Sequence, residues 1–491
     1  MALVHPVDQP LDAAPQRRRG PLRPAALASS RKRIESAMLR RLFALLDALV
    51  MLMTALAALG LGGAPLLSRS LGELLPMGCG SFLALTIMRA SRLYLFLPRQ
   101  SLVRHLLKIA VVAAAAVLCA LVLSLLAPQW RNTTLIWSLG FSVALLAAHT
   151  AWWLRVEIWR RAGRMTPNVV MVGATDNARR LIEAALASRD IAVLGVFDDR
   201  LSRAPDTVAG VPVLGDTAAL LGHPLLPYVD RIVITVPPSA QARVRDLIER
   251  LRVLPNPITL FLDVDGTAER DAALSRLSNL AHVSGAERDE RRAFWKRMED
   301  VLVGVVALAL AAPAMALIAL LIKLDSPGPI LFRQRRHGFN NETIVVWKFR
   351  SMRVEASDFH AERQVSKDDD RVTRVGRLIR KLSLDELPQL INVLKGEMSL
   401  VGPRPHAIGM KTAGEDSTRL VAEYAWRHRM KPGLTGWAQI NGSIGAIDTP
   451  EAVRRRVQLD VEYIESHTLW FDLYILVMTL PALIRARHVV R

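Results

Sequence analysis

The chain has 491 residues, a formal net charge of +19 at pH 7 and a hydrophobic fraction of 51%. This length exceeds one ordinary folding core, and the positive charge implies polyanionic partners. Because the apolar residues are concentrated in long uncharged runs, which a soluble nucleic-acid-binding protein does not need, we exclude nucleic acid as a partner and predict a membrane protein.

The front of the chain is predicted to form a membrane unit. Residues 1–39 are rich in Pro, Ala and Arg and are predicted to be a disordered basic tail in the cytoplasm, in contact with anionic lipid. Residues 40–155 hold apolar segments near the ~20 residues that a transmembrane helix needs. The four segments are approximately 42–60, 71–88, 109–127 and 135–154. Arginines and lysines flank this four-helix bundle so that both of its ends face the cytoplasm.

Two ionisable residues, Asp47 and His149, fall inside these apolar segments. An ionisable group within a membrane indicates a functional site by default. Both residues lie only a few positions from a predicted cytoplasmic edge, where water can reach them. We therefore interpret them as structural.

The sequence pattern then changes to alternating strands and helices, and residues 166–285 are predicted to form a Rossmann-like α/β module. A strand at 169–172 is followed by a glycine-containing turn, and a second strand ends at Asp198. A dinucleotide-binding turn requires glycine where this chain has Thr175, so cofactor binding is disfavoured. A spacer, a dimer contact or a regulatory module fits the pattern better.

A charged segment and an uncharged run follow the module. Residues 286–300 are predicted to form a linker helix on the membrane surface, although a solvated helix fits the same pattern. Residues 301–323 are long enough to cross the bilayer, but a crossing would place the basic residues behind them outside the cell. Pro313 can kink the helix and turn it back. We therefore predict a re-entrant membrane helix broken at Pro313.

The most informative stretch lies in the remaining domain, residues 324–491. From residue 383 to residue 405 it reads SLDELPQLINVLKGEMSLVGPRP. Adjacent carboxylates, Asp385 and Glu386, open a predicted amphipathic helix, and Pro388 fits only near a helix start, so the acids lie in its first turn or just before it. An isolated pair of this kind is usually part of an ordinary capped helix. Surrounding basic residues instead indicate a phosphate-binding pocket.

This stretch resembles the bacterial sugar transferase family, the monotopic polyprenyl-phosphate hexose-1-phosphate transferases. Residues 347–352 (WKFRSM) and 431–442 (KPGLTGWAQING) are similar to the same family. The resemblance extends from about Lys296 to the C-terminus. It implies a mainly α, monotopic catalytic domain with a re-entrant membrane helix, and a homodimer is expected from its similarity to long family members.

The resemblance also implies a reaction. Residues 406–411 and 447–453 are similar to members that transfer glucose 1-phosphate from UDP-glucose to undecaprenyl phosphate, giving undecaprenyl-diphospho-glucose and UMP. This is the first step of exopolysaccharide repeat-unit synthesis, at the bacterial inner membrane with the catalytic domain facing the cytoplasm. UDP-galactose or another UDP-hexose is the alternative donor. A non-catalytic membrane scaffold for glycan assembly is the alternative of another class.

Residue roles follow from the resemblance in the same way. Asp385 is expected to be the nucleophile that forms a covalent phosphoglycosyl-aspartate. Glu386 is the nearest candidate ligand for Mg²⁺, with Asp385 beside it. The other residues carried over from the family are expected to bind substrate: Lys348, Arg350, Arg380, Arg404 and Asp460.

Overall fold

The computed structural model describes most of the chain. The described residues are 36–61, 71–96, 101–162, 164–188, 191–237, 240–261, 281–284, 290–353, 371–406, 411–412, 415–416, 421, 424–443 and 449–486. They divide into two compact units, formed by the described residues of Ser29–Thr166 and of Pro167–Arg491. The predicted basic tail, 1–39, lies almost entirely outside the described residues.

The first unit is helical throughout its apolar segments. Its described helices are α1 (Ser36–Leu61), α2 (Leu74–Ala90), α3 (Leu102–Ser124) and α4 (Arg131–Arg161). Small residues allow α2 and α3 to approach closely, because a Cβ on Gly80 would lie 2.7 Å from the Ala116 carbonyl oxygen and 2.9 Å from the Trp137 ring. The predicted apolar segments are therefore packed helices.

Four helices in the described part of the chain are long and apolar enough to cross a membrane. They are Met38–Leu61, Leu102–Ser124, Pro128–Arg161 and Arg291–Asp325. Helix α2 is also apolar but has only 17 residues. The chain is therefore a membrane protein by the length and composition of its helices.

A buried polar cluster joins α1, α3 and α4. The Tyr94 hydroxyl donates to Asp47 Oδ2 at 2.6 Å, and His149 Nε2 lies 3.2 Å from the same oxygen. His149 Nδ1 lies 3.0 Å from His105 Nε2. Asp47 and His149 are fully buried, so Asp47 Oδ2 and His149 bond to protein groups rather than to water, whereas Asp47 Oδ1 has no hydrogen-bond partner among the described residues. This arrangement gives both residues a structural role in holding the helices together.

The module at the start of the second unit is a mixed sheet between helices. Its described strands are β1 (Asn168–Val172), β2 (Ala192–Phe197), β3 (Thr207–Val208), β4 (Val211–Gly215), β5 (Arg231–Ile234), β6 (Ile258–Leu260) and β7 (Ala281–Ser284). Its described helices are α5 (Asp176–Ser188), α6 (Thr217–Leu221) and α7 (Gln241–Leu251). The strand order is β3-β4-β2-β1-β5-β6-β7, with parallel strands from β4 to β6 and antiparallel strands at both edges. This doubly wound order agrees with the Rossmann-like prediction.

The central strand β1 is buried on both faces, as expected for a parallel strand covered by helices. Val170 and Val172 belong to the apolar cluster that includes residues of α7, whereas Val169 and Met171 belong to the cluster that includes residues of α5. The two-residue period of the strand thus supplies a core to each layer.

The rest of the second unit is mainly helical. Its described helices are α8 (Glu290–Asp325), α9 (Arg374–Lys381), α10 (Gln389–Lys395), α11 (Trp437–Ile440), α12 (Pro450–Ser466) and α13 (Leu469–Ala486). Its described strands are β8 (Leu331–His337), β9 (Thr343–Phe349), β10 (Ser399–Val401), β11 (Lys411–Thr412), β12 (Glu415–Asp416) and β13 (Gly433–Thr435). Antiparallel β8 and β9 form a hairpin, and β10 pairs in parallel with β13.

Helix α8 is one continuous element where the sequence predicts a linker helix, 286–300, and a separate membrane helix, 301–323. Pro313 lies inside the helix without ending it. A proline removes only one intrahelical hydrogen bond, and packing against the rest of the domain supports the helix on both sides of that position. Of the two aromatic residues near its start, Phe294 is buried and Trp295 is half exposed.

Both ends of α8 are bound to the same domain. Near its start, the Arg297 guanidinium donates to the carbonyl oxygens of Val393 and Leu394, at 2.7 Å each. At its end, Asp325 Oδ2 accepts from the Val375 backbone N–H at 3.1 Å. Exposed apolar side chains of α8 and α13 include Leu302, Val305, Val306, Leu310, Leu317, Leu320, Trp470, Val477 and Leu480. The domain therefore carries an apolar surface on two of its helices.

A buried ionic cluster connects these two helices with strand β10. Lys296 Nζ of α8 lies 2.7 Å from Asp472 Oδ2 of α13. Asp300, one turn after Lys296, accepts from the Ser399 hydroxyl and the Leu400 N–H of β10 at 2.8 and 2.9 Å. Since these groups are nearly inaccessible to solvent, each depends on its partners. The cluster fixes the strand that leads to Gly402 and Arg404.

Candidate active site

The two adjacent acids lie in a short 3₁₀ turn, Leu384–Glu386, between α9 and α10. Ser383 precedes them in the left-handed conformation at φ 55°, which is strained for a residue with a Cβ and turns the chain sharply after α9. Helix α10 begins only at Gln389 and contains seven residues. The acids therefore lie just before the helix, the second of the two positions that the sequence allows.

Glu386 is held by two cationic side chains. Its Oε1 atom accepts from Lys348 Nζ of β9 at 2.7 Å and from Arg404 Nη2 at 2.7 Å. Arg404 Nη1 lies 3.4 Å from the second oxygen, so the guanidinium and the carboxylate face each other. Burial opposes ionisation of Glu386, but Arg404 and Lys348 hold its pKa well below the usual range. Glu386 is thus a fixed anion.

Asp385 is different, because no hydrogen bond or ion pair engages its carboxylate within the described part of the chain. Burial raises its pKa, and the negative charge of Glu386 raises it further. Lys348, Arg380 and Arg404 act in the opposite direction. Two neighbouring acids therefore occupy different environments: one carboxylate is bound by cations, and the other has no such partner among the described residues.

The position of Arg404 is set by contacts of its main chain. Strands β10 and β13 approach so closely that a Cβ on Gly433 would overlap the backbone of Gly402, and the Gly433 N–H donates to the Pro403 carbonyl at 2.9 Å. The next carbonyl, of Arg404 itself, accepts from Arg427 Nη2 at 2.7 Å. The main chain of the Pro-Arg-Pro segment is therefore fixed, and its arginine side chain reaches Glu386.

Asp460, predicted to bind substrate, is almost fully buried and accepts from Arg427. The distances are 2.7 Å from Nη2 and 3.1 Å from Nε to Asp460 Oδ2. Burial raises the pKa of Asp460, and Arg427 counteracts this effect. Asp460 therefore reaches the acidic pair only indirectly, through Arg427 and the Arg404 backbone.

Arg350 also lies apart from the two acids. Its guanidinium donates to the carbonyl oxygens of Pro327 and Ser326 at 2.5 and 2.6 Å, and to the Ser326 hydroxyl at 3.0 Å. It is 4% exposed, so little of it is accessible to a ligand. These contacts tie the end of β9 to the turn after α8.

The structure thus brings together Lys348, Arg404 and both acids, with Arg380 close enough to affect the pKa of Asp385. A small cleft beside them is lined by Arg336, Val346, Lys348, Glu386, Gln389, Arg404 and Pro405. Burial and the Arg404 charge lower the pKa of Arg336 to about 10. Arg336 was visible in the sequence only as part of a basic run, and Arg427 was not predicted at all.

The described residues contain no group of three or more His, Cys, Asp or Glu side chains that could hold a metal ion by themselves. Among the described residues, the Asp385 carboxylate accepts no hydrogen bond, and one oxygen of Glu386 makes only the 3.4 Å contact with Arg404. Mg²⁺ is commonly held by one or two carboxylates together with substrate phosphates. The pair therefore fits a magnesium ion that is shared with a phosphorylated substrate.

The turn after β1, where a Rossmann fold binds a pyrophosphate, is engaged by the protein itself. The Thr175 hydroxyl donates to the Thr235 carbonyl at 2.8 Å, across the junction between β1 and β5. Asp198 accepts from the Ala174 N–H at 2.7 Å and from Arg243 at 3.0 Å. Asp198, at the position where a dinucleotide-binding Rossmann fold holds the ribose, is thus already bonded within the module.

Two family models match this chain. The model described as "Bacterial sugar transferase" matches residues 291–486, and the model described as "CoA-binding domain" matches residues 77–261. The first range contains both acids and every cation described around them. The second runs from α2 into the Rossmann-like module.

Several named proteins are similar to the chain. A Komagataeibacter xylinus protein named undecaprenyl-phosphate glucose phosphotransferase is 41% identical over 66% of this chain and 60% of its own length. A Xanthomonas campestris pv. campestris protein named UDP-glucose:undecaprenyl-phosphate glucose-1-phosphate transferase is 35% identical over 70% of this chain and 72% of its own. An Aeromonas hydrophila protein named for transfer of N-acetylgalactosamine phosphate is 42% identical over 39% of this chain and 44% of its own length. The chain thus covers less than two thirds of the length of the Komagataeibacter protein and more than two thirds of the length of the Xanthomonas protein.

The different states of the two acids predict opposite effects on stability. Because the pKa of Asp385 is raised, its charge disfavours the folded state at neutral pH, and Asp385→Asn should leave the unfolding temperature unchanged or raise it. Glu386→Gln should cost about 2–4 kcal/mol, because Lys348 and Arg404 lose a charged partner. Thermal unfolding in detergent without substrate measures the stability of both variants. Each substitution replaces a carboxylate with an amide of nearly the same size. Equal destabilisation by the two substitutions would contradict this assignment.

Proposed function

The chain belongs to the bacterial sugar transferase family, and on that premise we propose that it transfers glucose 1-phosphate from UDP-glucose to undecaprenyl phosphate. The products are undecaprenyl-diphospho-glucose and UMP, and the reaction begins an exopolysaccharide repeat unit. The observation that carries this proposal is that the Asp385 carboxylate has no hydrogen-bond or ion-pair partner among the described residues, while two cations hold the adjacent Glu386.

Asp385 is the nucleophile in this mechanism. Its carboxylate oxygen attacks the sugar-linked phosphorus of UDP-glucose, and the bond from that phosphorus to the bridging oxygen breaks. The bonding electrons leave with UMP, and a phosphoglycosyl-aspartate forms. An oxygen of undecaprenyl phosphate then attacks the same phosphorus and displaces the carboxylate. No net proton transfer is needed, since both nucleophiles are anions.

The surrounding cations suit this chemistry. Lys348 and Arg404 already bind Glu386, and each retains N–H donors for the diphosphate of the donor. Arg336 lines the same cleft, and Arg380 lies on the side of Asp385. Preorganised positive groups stabilise the charge that develops on phosphate oxygens during transfer. Arg350 and Asp460 act at a distance from the substrate, by fixing the turn after α8 and by holding Arg427.

Magnesium completes the proposed site. Asp385 and Glu386 would hold the ion together with the donor phosphates, and the ion would neutralise phosphate charge when bound. Glu386 is the better ligand of the two, because Asp385 must remain free to attack. Chelation of divalent ions is therefore expected to stop turnover.

UDP-glucose is dissolved in water, whereas undecaprenyl phosphate lies in the membrane. The exposed apolar side chains of α8 and α13 would bring the domain to the membrane surface, where both substrates can reach it. We propose that α8 enters the bilayer and returns, as a re-entrant helix with Pro313 inside it. In support, Arg297 near its start and Asp325 at its end bind the same domain, so both ends belong on one side of the membrane. The four predicted bundle helices before it and the basic residues that flank them support a cytoplasmic position for that side, where nucleotide sugars occur.

The sugar of the donor is proposed to be glucose, and other sugars are the alternatives. Glucose and galactose differ in the orientation of one hydroxyl, and a family relative is named for a third sugar, so UDP-galactose and other UDP-hexoses are the alternatives. A membrane scaffold without activity is the alternative of another class, but such a protein has no need of the charged site described above.

A homodimer is expected from the long family members, and light scattering in detergent measures it.

Transfer of label from radiolabelled UDP-glucose to extractable lipid tests the proposed reaction directly. Purified protein with Mg²⁺ and undecaprenyl phosphate should produce labelled lipid, and Asp385→Asn should lower the rate at least about a thousandfold. Asp246→Asn, an exposed change on α7, is the matched control and should retain the wild-type rate. Competition by UDP-galactose would favour the other donor. Folded protein that turns over no UDP-sugar would instead support the scaffold.

The pKa of Asp385 predicts the pH dependence. The nucleophile must be ionised, so kcat/KM should fall as the pH falls through the pKa of this carboxyl group. Arg380 lowers that pKa, and therefore Arg380→Gln should move the acidic limb to higher pH. Arg377→Gln, one turn earlier on α9 and exposed, should leave the limb where it is. A limb at the same pH in both variants would contradict Asp385 as the titrating group.

Cysteine labelling tests the path of α8. Single cysteines at Ala293 and Lys323, both exposed near the two ends of the helix, are placed in a chain whose Cys79 and Cys119 are changed to Ala. A membrane-impermeant maleimide should label both positions in inside-out vesicles and neither in right-side-out vesicles. Labelling of the two positions from opposite sides would show that α8 crosses the bilayer.

A further inference from the structure

Among the described residues, Asn340 and Trp426 of the catalytic domain both hydrogen-bond to the Rossmann-like module, and the first contact is that of Asn340. This residue lies in the turn between β8 and β9, in the left-handed conformation at φ 55°. Its side-chain amide donates to the carbonyl oxygens of Val229 and Leu226, at 2.8 and 3.2 Å. Asn340 is 8% exposed, so this bond is shielded from water. The catalytic hairpin is therefore anchored on the module just before β5.

The second contact is made by Trp426, in the 3₁₀ turn Tyr424–Arg429. Its indole N–H donates to the Arg252 carbonyl, directly after α7, at 2.7 Å. The guanidinium of Arg252 lies 5.8 Å from the centre of the tryptophan ring, and that of Arg429 lies 4.4 Å from it. The hydrogen bond and the cation–π contact with Arg252 thus bind this turn to the module, whereas Arg429 packs on the same ring from within the turn.

Neighbouring residues of the same turn serve the active site. Arg427 donates to Asp460 and to the Arg404 carbonyl, as described above, and it also contacts His406. His428 Nδ1–H donates to the Gly338 carbonyl at 3.2 Å, two residues before Asn340. The turn therefore contacts the module through Trp426, the anchored hairpin through His428, and the Arg404 backbone through Arg427.

From this arrangement we propose that the module positions the catalytic arginine: Asn340 and Trp426 fix the Tyr424–Arg429 turn, and the turn fixes Arg404 through Arg427. The three residues are positioning residues, because they act on the substrate only through Arg404. This inference rests on the proposed transferase function. The Rossmann-like module would then support catalysis without binding a ligand at the turn after β1, whose polar groups are bonded within the module.

The expected effect is on the rate of transfer. The Arg404 guanidinium must meet phosphate charge that develops in the transition state, and a displacement of about 1 Å at a catalytic group can lower a rate about a hundredfold. Loss of one anchoring contact should allow a smaller displacement. We therefore expect a fall of about tenfold in kcat, with little change in KM.

Asn340→Gly is the principal test, because glycine retains the left-handed backbone and removes only the amide. Asn341→Gly is the matched control, since Asn341 has φ 59° in the same turn. Trp426→Phe removes the second hydrogen bond while keeping an aromatic ring. In transfer assays, Asn340→Gly and Trp426→Phe should lower kcat, and Asn341→Gly should not. In an Arg404→Lys background, Asn340→Gly should have little additional effect.

Hydrogen–deuterium exchange of the full-length protein provides a readout that does not depend on turnover. Asn340→Gly should speed exchange in residues 402–406 and 424–429 and leave α10 unchanged, whereas general destabilisation would speed exchange everywhere. Unchanged exchange in these two segments, or an unchanged kcat in both Asn340→Gly and Trp426→Phe, would overturn the inference. Failure of the wild-type protein to transfer label would count against the proposed function instead.

Discussion

The shared contact of Glu386 with Lys348 and Arg404 is the interaction on which the candidate site depends. Two adjacent carboxylates would repel each other and compete for the same cations. Here both cations bind one of them, and Asp385 remains without a partner among the described residues. Glu386 thereby keeps the cations in place and leaves available the carboxylate that we propose as the nucleophile. The same contact places positive charge beside Asp385, where the donor phosphate must arrive.

This contact is supported by the rest of the domain, and each support has a geometric reason. Lys348 comes from a strand of the β8–β9 hairpin, and Arg404 follows β10, which the buried cluster of Lys296 and Asp300 ties to α8. Arg427 then fixes the Arg404 backbone. The helix that carries Lys296 and Asp300 also carries much of the exposed apolar surface. In the proposed function, the helix that meets lipid therefore also supports the strand that leads to the arginine proposed to bind phosphate.

Much of this could be predicted from the sequence, where signals are local. Uncharged runs revealed the apolar helices, and the motif around Asp385 and Glu386 revealed the acids. Their division of roles could not be predicted, because Lys348 and Arg404 lie 38 and 18 residues from Glu386 and meet it only in the fold. Arg427 was missed for a related reason: in the sequence it belongs to an ordinary basic stretch, and its burial against Asp460 is tertiary. Likewise, the continuity of α8 through Pro313 depends on packing that no local pattern encodes.

The most direct test of the account is to look for a covalent intermediate on Asp385 in the absence of acceptor. Protein is incubated with Mg²⁺ and UDP-glucose labelled in the sugar, without undecaprenyl phosphate, and is then digested for mass spectrometry. The proposed mechanism predicts release of UMP in an amount equal to the active protein and a hexose-phosphate on the peptide that contains Asp385. Both should be absent in Asp385→Asn. Release of UMP only after undecaprenyl phosphate is added, with no modified peptide, would contradict the central claim and indicate direct transfer between the two substrates.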